Sequence, residues 1–489
     1  GICLFVYILL VVMFLLSGLP LSLFYVKSFY YILLYWGLTF FISMLMGILF
    51  AMVFKGKLVY PLAFLTWPFI GPINNMIFMQ ITAHTKLFNP YIFSNIFNLG
   101  EYNPYASYND MYGYSLESFH WVKRWIWISL ISAAIFIVIT MKNKEYRKLS
   151  LIGMIFFILS VIPAVFFITT PQFVLKNNGT LMDQPIYDPL YYRNYDLTVG
   201  DSPNVQLKNF DIQLGIDEFL EATVKVEMVN QEKKSINKAN FTLYHQFKVT
   251  KIKMNGKDVG FEQKRDLVTI FFPENIKPAE QNELTFNYRG ISSPLFFANN
   301  QAVYLPYYFP WIPSTNPNPS IYMERMGMHR VNHQNEITTN YKLSYDGSNH
   351  IFTNLEKTSG SIWEKETNGV TVVAGDIRTK KVANTNVIYP YNWEKGIKNF
   401  PEYKKLLMET ATNIQHDLGL NAIEFPSTIM YLPVLSTGDM YDSEYFWMTK
   451  DHFILGEVPY LTPEEDMLYN LRSYFVTKLV SALKMLICI

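Results

Sequence analysis

Two histidines spaced four residues apart are the first candidates for chemistry in this sequence. His329 and His333 lie in the stretch HRVNHQNE, and Glu336 follows closely. This spacing places two imidazoles on one face only if the backbone is helical, and it then suits a metal ion. The residues that follow, EITTNYKLSY, alternate as in a β-strand. We therefore predict no metal site here and expect histidines that face solvent.

The other residue types that could do chemistry form no recognised catalytic pattern. His245 lies in an alternating segment, and three further histidines are isolated in the sequence: His350, His416 and His452. No Ser-His-Asp spacing, phosphate-binding loop or dinucleotide fingerprint occurs. The two cysteines, Cys3 and Cys488, give neither a disulfide framework nor a zinc knuckle. The net charge of +1 gives no reason to expect a nucleic-acid partner.

A helix with a defined start is predicted near the end of the sequence. Thr462 can cap it, Pro463 suits its first position, and Glu465 completes a capping box. The helix then continues to about Lys484. The acidic residues at its start are explained by the positive end of the helix rather than by metal binding. After Asp466 the sequence contains no His, Glu or Asp.

Strands are predicted before that helix, from Asn204 to about residue 390. Their period-two runs are VQLKNFDIQLGI, ATVKVEMV, FTLYHQFKVTKIKM, LVTIFF and ELTFNY. Asn255-Gly256 indicates a tight hairpin turn, whereas Tyr304–Pro319 is too rich in proline for a strand interior. Residues 204–390 are therefore predicted to form an antiparallel β-sandwich. Phe400–Leu418 then reads as an amphipathic helix that ends at Gly419.

Apolar segments near the start of the chain predict a membrane domain. Residues 1–85 contain no acidic residue. About 20 apolar residues are needed to span a bilayer as a helix. Five segments come near this length: Ile2–Phe24, Phe29–Phe54, Val59–Ile81, Trp125–Thr140 and Leu149–Thr169. The third is interrupted by prolines and asparagines, so it could span as a kinked helix or re-enter.

Basic residues predict how these segments are oriented. Lys55 and Lys57 follow the second segment, and the turn between the fourth and fifth carries Lys142, Lys144, Arg147 and Lys148. Short loops rich in lysine and arginine face the cytoplasm. The expected location is a cell membrane crossed several times, with the residues after about 170 outside the cell.

The order of the soluble elements resembles the zinc aminopeptidases of the membrane-alanyl-aminopeptidase and leukotriene-hydrolase type. The resemblance covers residues 204–489 and is carried by four stretches: Asn287-Tyr288-Arg289-Gly290, like the family's YxG strand end; Phe309-Pro310-Trp311-Ile312-Pro313, like its PWYP segment; Phe425-Pro426 with Thr428–Pro433; and Gly438-Asp439-Met440-Tyr441-Asp442, in the place of its GAMEN motif. The resemblance implies a sandwich or saddle domain over residues 204–390, followed by the start of a thermolysin-like α/β domain over residues 391–489.

Departures from that family concern its chemistry. In HExxH, two imidazoles bind zinc and the glutamate activates water. The helix in that place reads EEDMLYNLRSYFVTKLVSALK and contains neither histidine. Tyr441 and Asp442 replace the glutamate and asparagine of GAMEN. The resemblance therefore implies a degenerate enzyme with no catalytic and no metal-binding residue, unless the natural chain extends beyond Ile489 and supplies zinc ligands there.

The membrane half resembles the permease subunits of bacterial ATP-binding-cassette exporters fused to an aminopeptidase-like domain. The supporting residues are the Asn103–Tyr114 loop and Lys123-Arg124-Trp125 at the start of a span. This resemblance implies a separate ATPase subunit, because the chain has no Walker motif, and it also allows a second permease chain.

Three hypotheses follow for the whole chain. The first is a transporter permease made of residues 1–170, a linker over 171–203, and a non-catalytic domain that binds or guides a peptide-like substrate. The second is a piece of a membrane-anchored zinc aminopeptidase, and the third is an adhesion or sensor domain. Under the first, the substrate groove is predicted to involve six residues: Trp311, Gly438, Asp439, Met440, Tyr441 and Asp442.

Overall fold

A computed structural model of the 489-residue chain divides into two compact units. One comprises residues 1–108 and 113–185, and the other comprises residues 109–112 and 186–489. The structure describes residues 1–17, 21–54, 56–71, 74, 77, 97–99, 108–146, 148–169, 191–192, 203–291, 296–324, 327–419, 425–433, 446–449, 451–456, 465, 468–469, 471–473 and 476.

The first unit is helical. Its elements are α1 (Ile2–Leu16), α2 (Leu23–Tyr31), a π-helical turn (Ile32–Gly37), α3 (Leu38–Val53), a 3₁₀ turn (Gly56–Leu58), α4 (Val59–Ile70), α5 (Ser118–Lys142), a 3₁₀ turn (Lys144–Tyr146) and α6 (Leu149–Thr169). Ile42 of α3 and Ile131 of α5 are buried in one apolar cluster. Most other side chains of α1, α3 and α6 are exposed and apolar, as is expected of helix faces that contact lipid.

The described residues contain fewer spanning helices than the sequence predicts. Two helical stretches, Leu23–Val53 and Ser118–Lys142, are long and apolar enough to cross a membrane. The prediction of about five is wrong for the described part of the chain. α1 ends at Leu16, about 22 Å long at 1.5 Å per residue, and α4 ends at Ile70 where Gly71 becomes extended. In these two apolar runs the helix is shorter than the run itself.

An eight-stranded sheet dominates the second unit. Its strands are β1 (Val205–Ile216), β2 (Leu220–Asn230), β4 (Phe247–Met254), β5 (Lys257–Asp258), β8 (Gln281–Gly290), β12 (Thr339–Gly347), β14 (Glu356–Ser359) and β15 (Ile362–Thr367). Their order is β14-β15-β12-β1-β2-β8-β4-β5. The predicted turn at Asn255-Gly256 is confirmed: both residues have positive φ and join β4 to β5. The β1–β12 pair is parallel, so the sheet is mixed rather than wholly antiparallel.

Smaller sheets accompany this sheet. They are β3-β7-β6 (Ile236–Thr242, Leu267–Ile276, Gly260–Lys264), β13-β16-β9 (Phe352–Thr353, Val372–Ala374, Val303–Leu305) and the hairpin β10-β11 (Ile321–Glu324, Gly327–Arg330). On β1, Ile212, Leu214 and Ile216 are buried while the residues between them are partly or fully exposed. One face of the large sheet therefore packs inward and the other faces solvent, as period-two patterning requires.

The last described region is α/β. The sheet order is β17-β18-β19-β21-β20, from Ile377–Val382, Thr385–Pro390, Thr428–Tyr431, His452–Leu455 and Phe446–Met448. β18, β19 and β21 are parallel, and β20 is antiparallel to β21. After a 3₁₀ segment (Tyr391–Ile397), α7 has the predicted bounds Phe400–Leu418 and ends at Gly419 with φ 65°. Described residues between 465 and 476 are helical, and Leu471 is buried in the core with Phe400.

Candidate functional site

The segment predicted to take the place of GAMEN connects two strands of the five-stranded sheet. β19 ends at Tyr431, and β20 begins at Phe446. The predicted groove residues 438–442 lie between them and outside the described residues. Their place along a groove stays a prediction. The structure does describe the two strands to which this segment is attached.

Trp311, the other predicted groove residue, lies in the protein core. Its side chain has no exposed surface, and its indole N–H donates to the Val370 carbonyl at 3.2 Å. The Tyr288 hydroxyl donates to the Trp311 carbonyl at 2.7 Å. The two stretches that resemble YxG and PWYP are therefore joined by a buried hydrogen bond. In this place Trp311 supports the fold, because truncation of a buried aromatic residue to alanine lowers the free energy of unfolding by about 3–5 kcal/mol.

A small cavity lies beside the Trp311 segment. It is lined by Phe309, Ile312 and Pro313 from that segment and by His333 and Tyr341 across from it, among others. Its volume is about 20 Å³, which suits a single water molecule rather than a peptide side chain. The cavity gives the aromatic segment no substrate-sized opening.

Asp451 is the centre of a buried polar cluster next to β21. Thr449 Oγ1, Thr367 Oγ1 and His452 Nδ1 lie 2.7, 3.0 and 2.9 Å from its Oδ1. Asn354 Nδ2 lies 3.2 Å and Lys365 Nζ 3.4 Å from its Oδ2. Burial alone would raise the pKa of Asp451, but the hydrogen bonds from His452 and Thr449 and the ammonium of Lys365 hold it well below its usual range.

The same cluster contains a hydroxyl, an imidazole and a carboxylate in a row. Thr371 Oγ1 lies 2.8 Å from His452 Nε2, and His452 Nδ1 faces Asp451. This order occurs in nucleophilic hydrolases. Here Thr371 and His452 are completely buried, and the Thr371 hydroxyl also accepts the Tyr307 N–H at 3.1 Å. A nucleophile must reach its substrate, so burial excludes Thr371 as a nucleophile, and the cluster instead connects β21 to Thr367 of β15 and to Thr371, the residue before β16.

Histidines predicted to face solvent are in part buried. His333 is only 6% exposed, and its ring lies 3.3 Å from both the Ser314 hydroxyl and the Pro319 carbonyl. Burial lowers its pKa to about 4. The expectation of a solvent-facing His333 is wrong, because the proline-rich segment packs over it. The following residues EITTNYKLSY contribute most of β12, so the predicted strand is confirmed, and His329 itself lies in β11.

His245 belongs to another buried cluster, centred on Asp266. The residue lies in a turn after β3 rather than in a strand. Asp266 accepts the His245 N–H at 3.0 Å, the Tyr192 hydroxyl at 2.8 Å, and the N–H and hydroxyl of Ser320 at 2.7 Å each. Burial would raise the pKa of this carboxyl, but His245 and Ser320 lower it further than burial raises it.

Neither cluster could be predicted from local sequence. His452 stands beside Asp451 and Thr449 lies two residues before it, yet neighbours in sequence need not hydrogen-bond, and Thr367 and Thr371 are about 80 residues away. Asp266 is one carboxylate in a polar turn. Among the residues that the structure describes, no group of three His, Cys, Asp or Glu side chains could hold a metal ion.

Comparisons with known proteins place the chain beside zinc peptidase folds at low similarity. No family model and no curated protein matches. Among solved structures, an M1 zinc metallopeptidase from Deinococcus radiodurans shares 13% identity at a TM-score of 0.38, over 55% of this chain and 64% of that one. Yeast LTA4 hydrolase in complex with bestatin shares 10% identity at a TM-score of 0.39, over 60% of this chain and 46% of that one. The chain thus spans less than two-thirds of either protein, and at these TM-scores the likeness is no basis for assigning an activity.

Proposed function

We propose that this chain is a membrane-anchored protein whose aminopeptidase-like α/β region binds a peptide-like ligand. Two apolar helices of spanning length support the anchor. The observation that carries the ligand class is the position of β20, which ends the five-stranded sheet and pairs only with β21 among the described strands. An extended peptide can add to such an edge through main-chain hydrogen bonds.

The connection of β19 to β20 also supports a ligand at the edge of β20. In open α/β sheets, ligands bind beyond the carboxyl ends of the parallel strands. β19 is parallel to both of its neighbours, and its carboxyl end leads into the segment with Gly438–Asp442. A peptide on the edge of β20 would have that segment at one end. Tyr441 and Asp442 are then candidates for contacts with the peptide terminus.

Periodic N-methylation of the peptide tests strand addition. A pool of random hexapeptides with free amino termini is screened against the purified full-length chain, and the best binder is resynthesised with N-methyl groups at odd or at even positions. One set should bind about tenfold more weakly and the other unchanged, because alternate N–H groups face the partner strand. No binder, or equal loss from both sets, contradicts peptide binding at this edge.

Zinc content separates a binding protein from an enzyme. The absence of HExxH favours a domain that binds without cleaving, whereas the membrane-anchored zinc aminopeptidase is the alternative. The native protein is purified from its own membrane. Its metal content is measured, and so is its release of N-terminal amino acids from peptides. About one zinc per chain together with release establishes the alternative, and peptide binding without zinc or release supports the binding protein.

A transporter role remains a prediction. The two solved structures compared above are peptidase folds and do not bear on transport. An ATPase subunit and a second permease chain would be partners under that hypothesis. Purification from native membranes in mild detergent, followed by mass spectrometry, tests it: a co-purifying ATPase at a fixed ratio supports export, and the chain recovered alone contradicts it.

A further inference from the structure

A broad depression lies on the outward face of the eight-stranded sheet, in a different place from the proposed peptide edge. Its volume is about 650 Å³, which is within the range of about 300–1,000 Å³ of small-molecule sites. Residues of β1, β2, β4, β8, β12 and β15 line it. All of these strands belong to one sheet, so the main-chain hydrogen bonds between them fix the shape of the depression.

One row of side chains crosses this depression from strand to strand. The register pairs Gln213 with both Ser344 and Thr223, and pairs Thr223 with Asn287. Ile362 extends the row beyond Ser344, and Thr250 extends it beyond Asn287. With strands about 4.8 Å apart, the row is about 24 Å long. Most of its members are uncharged hydroxyl or amide groups.

Hydrogen bonds orient three members of the row, Thr223, Asn287 and Thr250. The Thr223 hydroxyl donates to Asn287 Oδ1 at 2.8 Å, so the Asn287 amide presents its NH₂ group as a donor. The Thr250 hydroxyl donates to the main-chain carbonyl of Asn287 at 3.1 Å, so the Thr250 oxygen is left to accept a hydrogen bond. Gln213 is exposed and offers both a donor and an acceptor. The row therefore presents donors and acceptors side by side.

Four of the charged residues around the row form two ion pairs, and the exposed Asp346 also lines the depression. Arg289 lies 2.9 Å from Glu221, and Lys251 lies 3.0 Å from Asp258. Gly215, which the register places between Glu221 and Asp346, adds no side chain to the floor. The row itself consists mostly of uncharged groups that hydrogen-bond, which favours a ligand without a net charge.

We propose that this face binds a neutral, hydroxyl-rich ligand, namely an uncharged oligosaccharide. Each sugar hydroxyl both donates and accepts, which matches a row of amides and hydroxyls. A peptide backbone is a poorer match, because the main-chain groups within the sheet are occupied by its own ladder and an added strand needs a free edge. A dissociation constant on the order of a millimolar is expected from a few exposed hydrogen bonds.

Two glutamines on the same face of β1 provide a matched test. Gln213 lines the depression, whereas Gln206 points to the same side of the sheet outside it and accepts from Gln231 at 3.2 Å. The full chain in lipid nanodiscs, free of sugar-headed detergent, is titrated with maltotriose, cellotriose, mannotriose and tri-N-acetylchitotriose. Saturation-transfer NMR measures binding.

At least one trisaccharide should bind, Gln213→Ala should weaken it about three- to tenfold, and Gln206→Ala should leave it unchanged. Equal thermal midpoints of the two variants exclude a folding defect. The proposal is overturned if no trisaccharide binds, if the two variants weaken binding equally, or if neither does. It is also overturned if random hexapeptides displace the sugar and the Gln213→Ala substitution weakens peptide binding as much as it weakens sugar binding.

Discussion

The buried carboxylate of Asp266 contributes to the stability of the second unit through its hydrogen bonds. Asp266 is 1% exposed and accepts hydrogen bonds at both oxygens. Each oxygen receives a main-chain N–H, from His245 at Oδ1 and from Ser320 at Oδ2. An ionised carboxylate can accept at both positions, and a side-chain amide can accept at only one. The position therefore requires a carboxylate, although the isosteric amide has the same shape.

Asp266→Asn should lower the free energy of unfolding by about 2–4 kcal/mol, because its NH₂ group must face one of the two main-chain N–H groups in either orientation. Differential scanning fluorimetry of the full chain measures the change. Asp258→Asn is the matched control, since that carboxylate is 66% exposed, and it should change stability by less than about 0.5 kcal/mol. Equal effects of the two substitutions would contradict the role given to Asp266.

His333 should make stability depend on pH between about 4 and 6.5. Its pKa is lowered to about 4 in the folded protein, against about 6.5 when unfolded. The unfolded state then binds more protons in this window, so stability is complete above pH 6.5 and decreases as the pH falls toward 4. The loss is roughly 3 kcal/mol, from 1.36 kcal/mol per pKa unit.

His333→Gln should flatten the thermal midpoint across this pH window, whereas His416→Gln should not, because His416 is exposed. Thermal unfolding at half-unit pH steps is the measurement. A midpoint that falls between pH 6.5 and 4 as steeply in His333→Gln as in the unaltered chain would falsify the assignment.

Among the elements, β8 depends on a residue without a side chain. An ideal Cβ on Gly290 would lie 1.9 Å from the Gln246 carbonyl oxygen and 2.9 Å from Phe247 Cα. The end of β8 therefore approaches the main chain at the start of β4 more closely than any other residue type allows. This contact is the physical reason for glycine in the stretch that resembles YxG.

Gly290→Ala should cost at least about 3 kcal/mol, since the clash is with main-chain atoms that cannot move without breaking the β4–β8 ladder. The thermal midpoint should fall by about 6–12 °C at about 2–4 °C per kcal/mol for a unit of this size. Gly260→Ala is the control, because no atom lies within 4 Å of its added Cβ. A stable Gly290→Ala chain would contradict this packing.

At the scale of the whole molecule, four residues from between α4 and α5 belong to the second unit. Tyr112 is fully buried there, and its hydroxyl accepts from Asn299 Nδ2 at 2.9 Å. Asp110 accepts from the Trp393 indole N–H at 2.8 Å and from Asn392 Nδ2 at 3.1 Å. The second unit is therefore assembled from two distant parts of the sequence.

Asp110→Ala should lower the stability of the second unit by about 1.5–3 kcal/mol, because the buried Trp393 indole N–H loses a charged acceptor. Hydrogen exchange of the full chain, followed in residues 389–397, should become faster. Asp417→Ala, at a side chain that is 78% exposed, is the control and should leave exchange in that segment unchanged. Unchanged hydrogen exchange of residues 389–397 in Asp110→Ala would contradict the stabilising role given to residues 109–112 in the second unit.

The membrane orientation can be tested with single cysteines. The basic neighbours of Lys57 and Lys144 favour the cytoplasmic side for both positions. Both can lie there only if the Val59–Ile81 segment also crosses, because the two spans Leu23–Val53 and Ser118–Lys142 alone place the two positions on opposite sides of the membrane. Lys57→Cys and Lys144→Cys, each in a chain with Cys3 and Cys488 replaced by serine, are treated with an impermeant maleimide before and after the cells are permeabilised. Labelling of one of the two residues in intact cells supports two spans, labelling of neither supports the third span, and labelling of both contradicts the orientation.

Local sequence determined the elements whose signals are contained in a few neighbouring residues. α7 begins with Phe400-Pro401 and ends at Gly419 as its capping residues specify, and Asn255-Gly256 forms the predicted turn. Alternation in residues such as Ile212 and Leu214 also specified which face of β1 is buried. These features depend on backbone preferences and on period, which are readable without knowledge of distant partners.

Tertiary structure decided the features that depend on residues far apart in sequence. His333 is buried because a proline-rich segment packs over it, and Asp451 accepts a hydrogen bond from Thr367 of β15, 84 residues away in sequence. The row from Ser344 to Asn287 exists only through strand register, and the lengths of α1 and α4 are shorter than their apolar runs. Sequence supplies side chains that can hydrogen-bond or pack, but which groups meet is set by the pairing of distant strands, where burial and register act together.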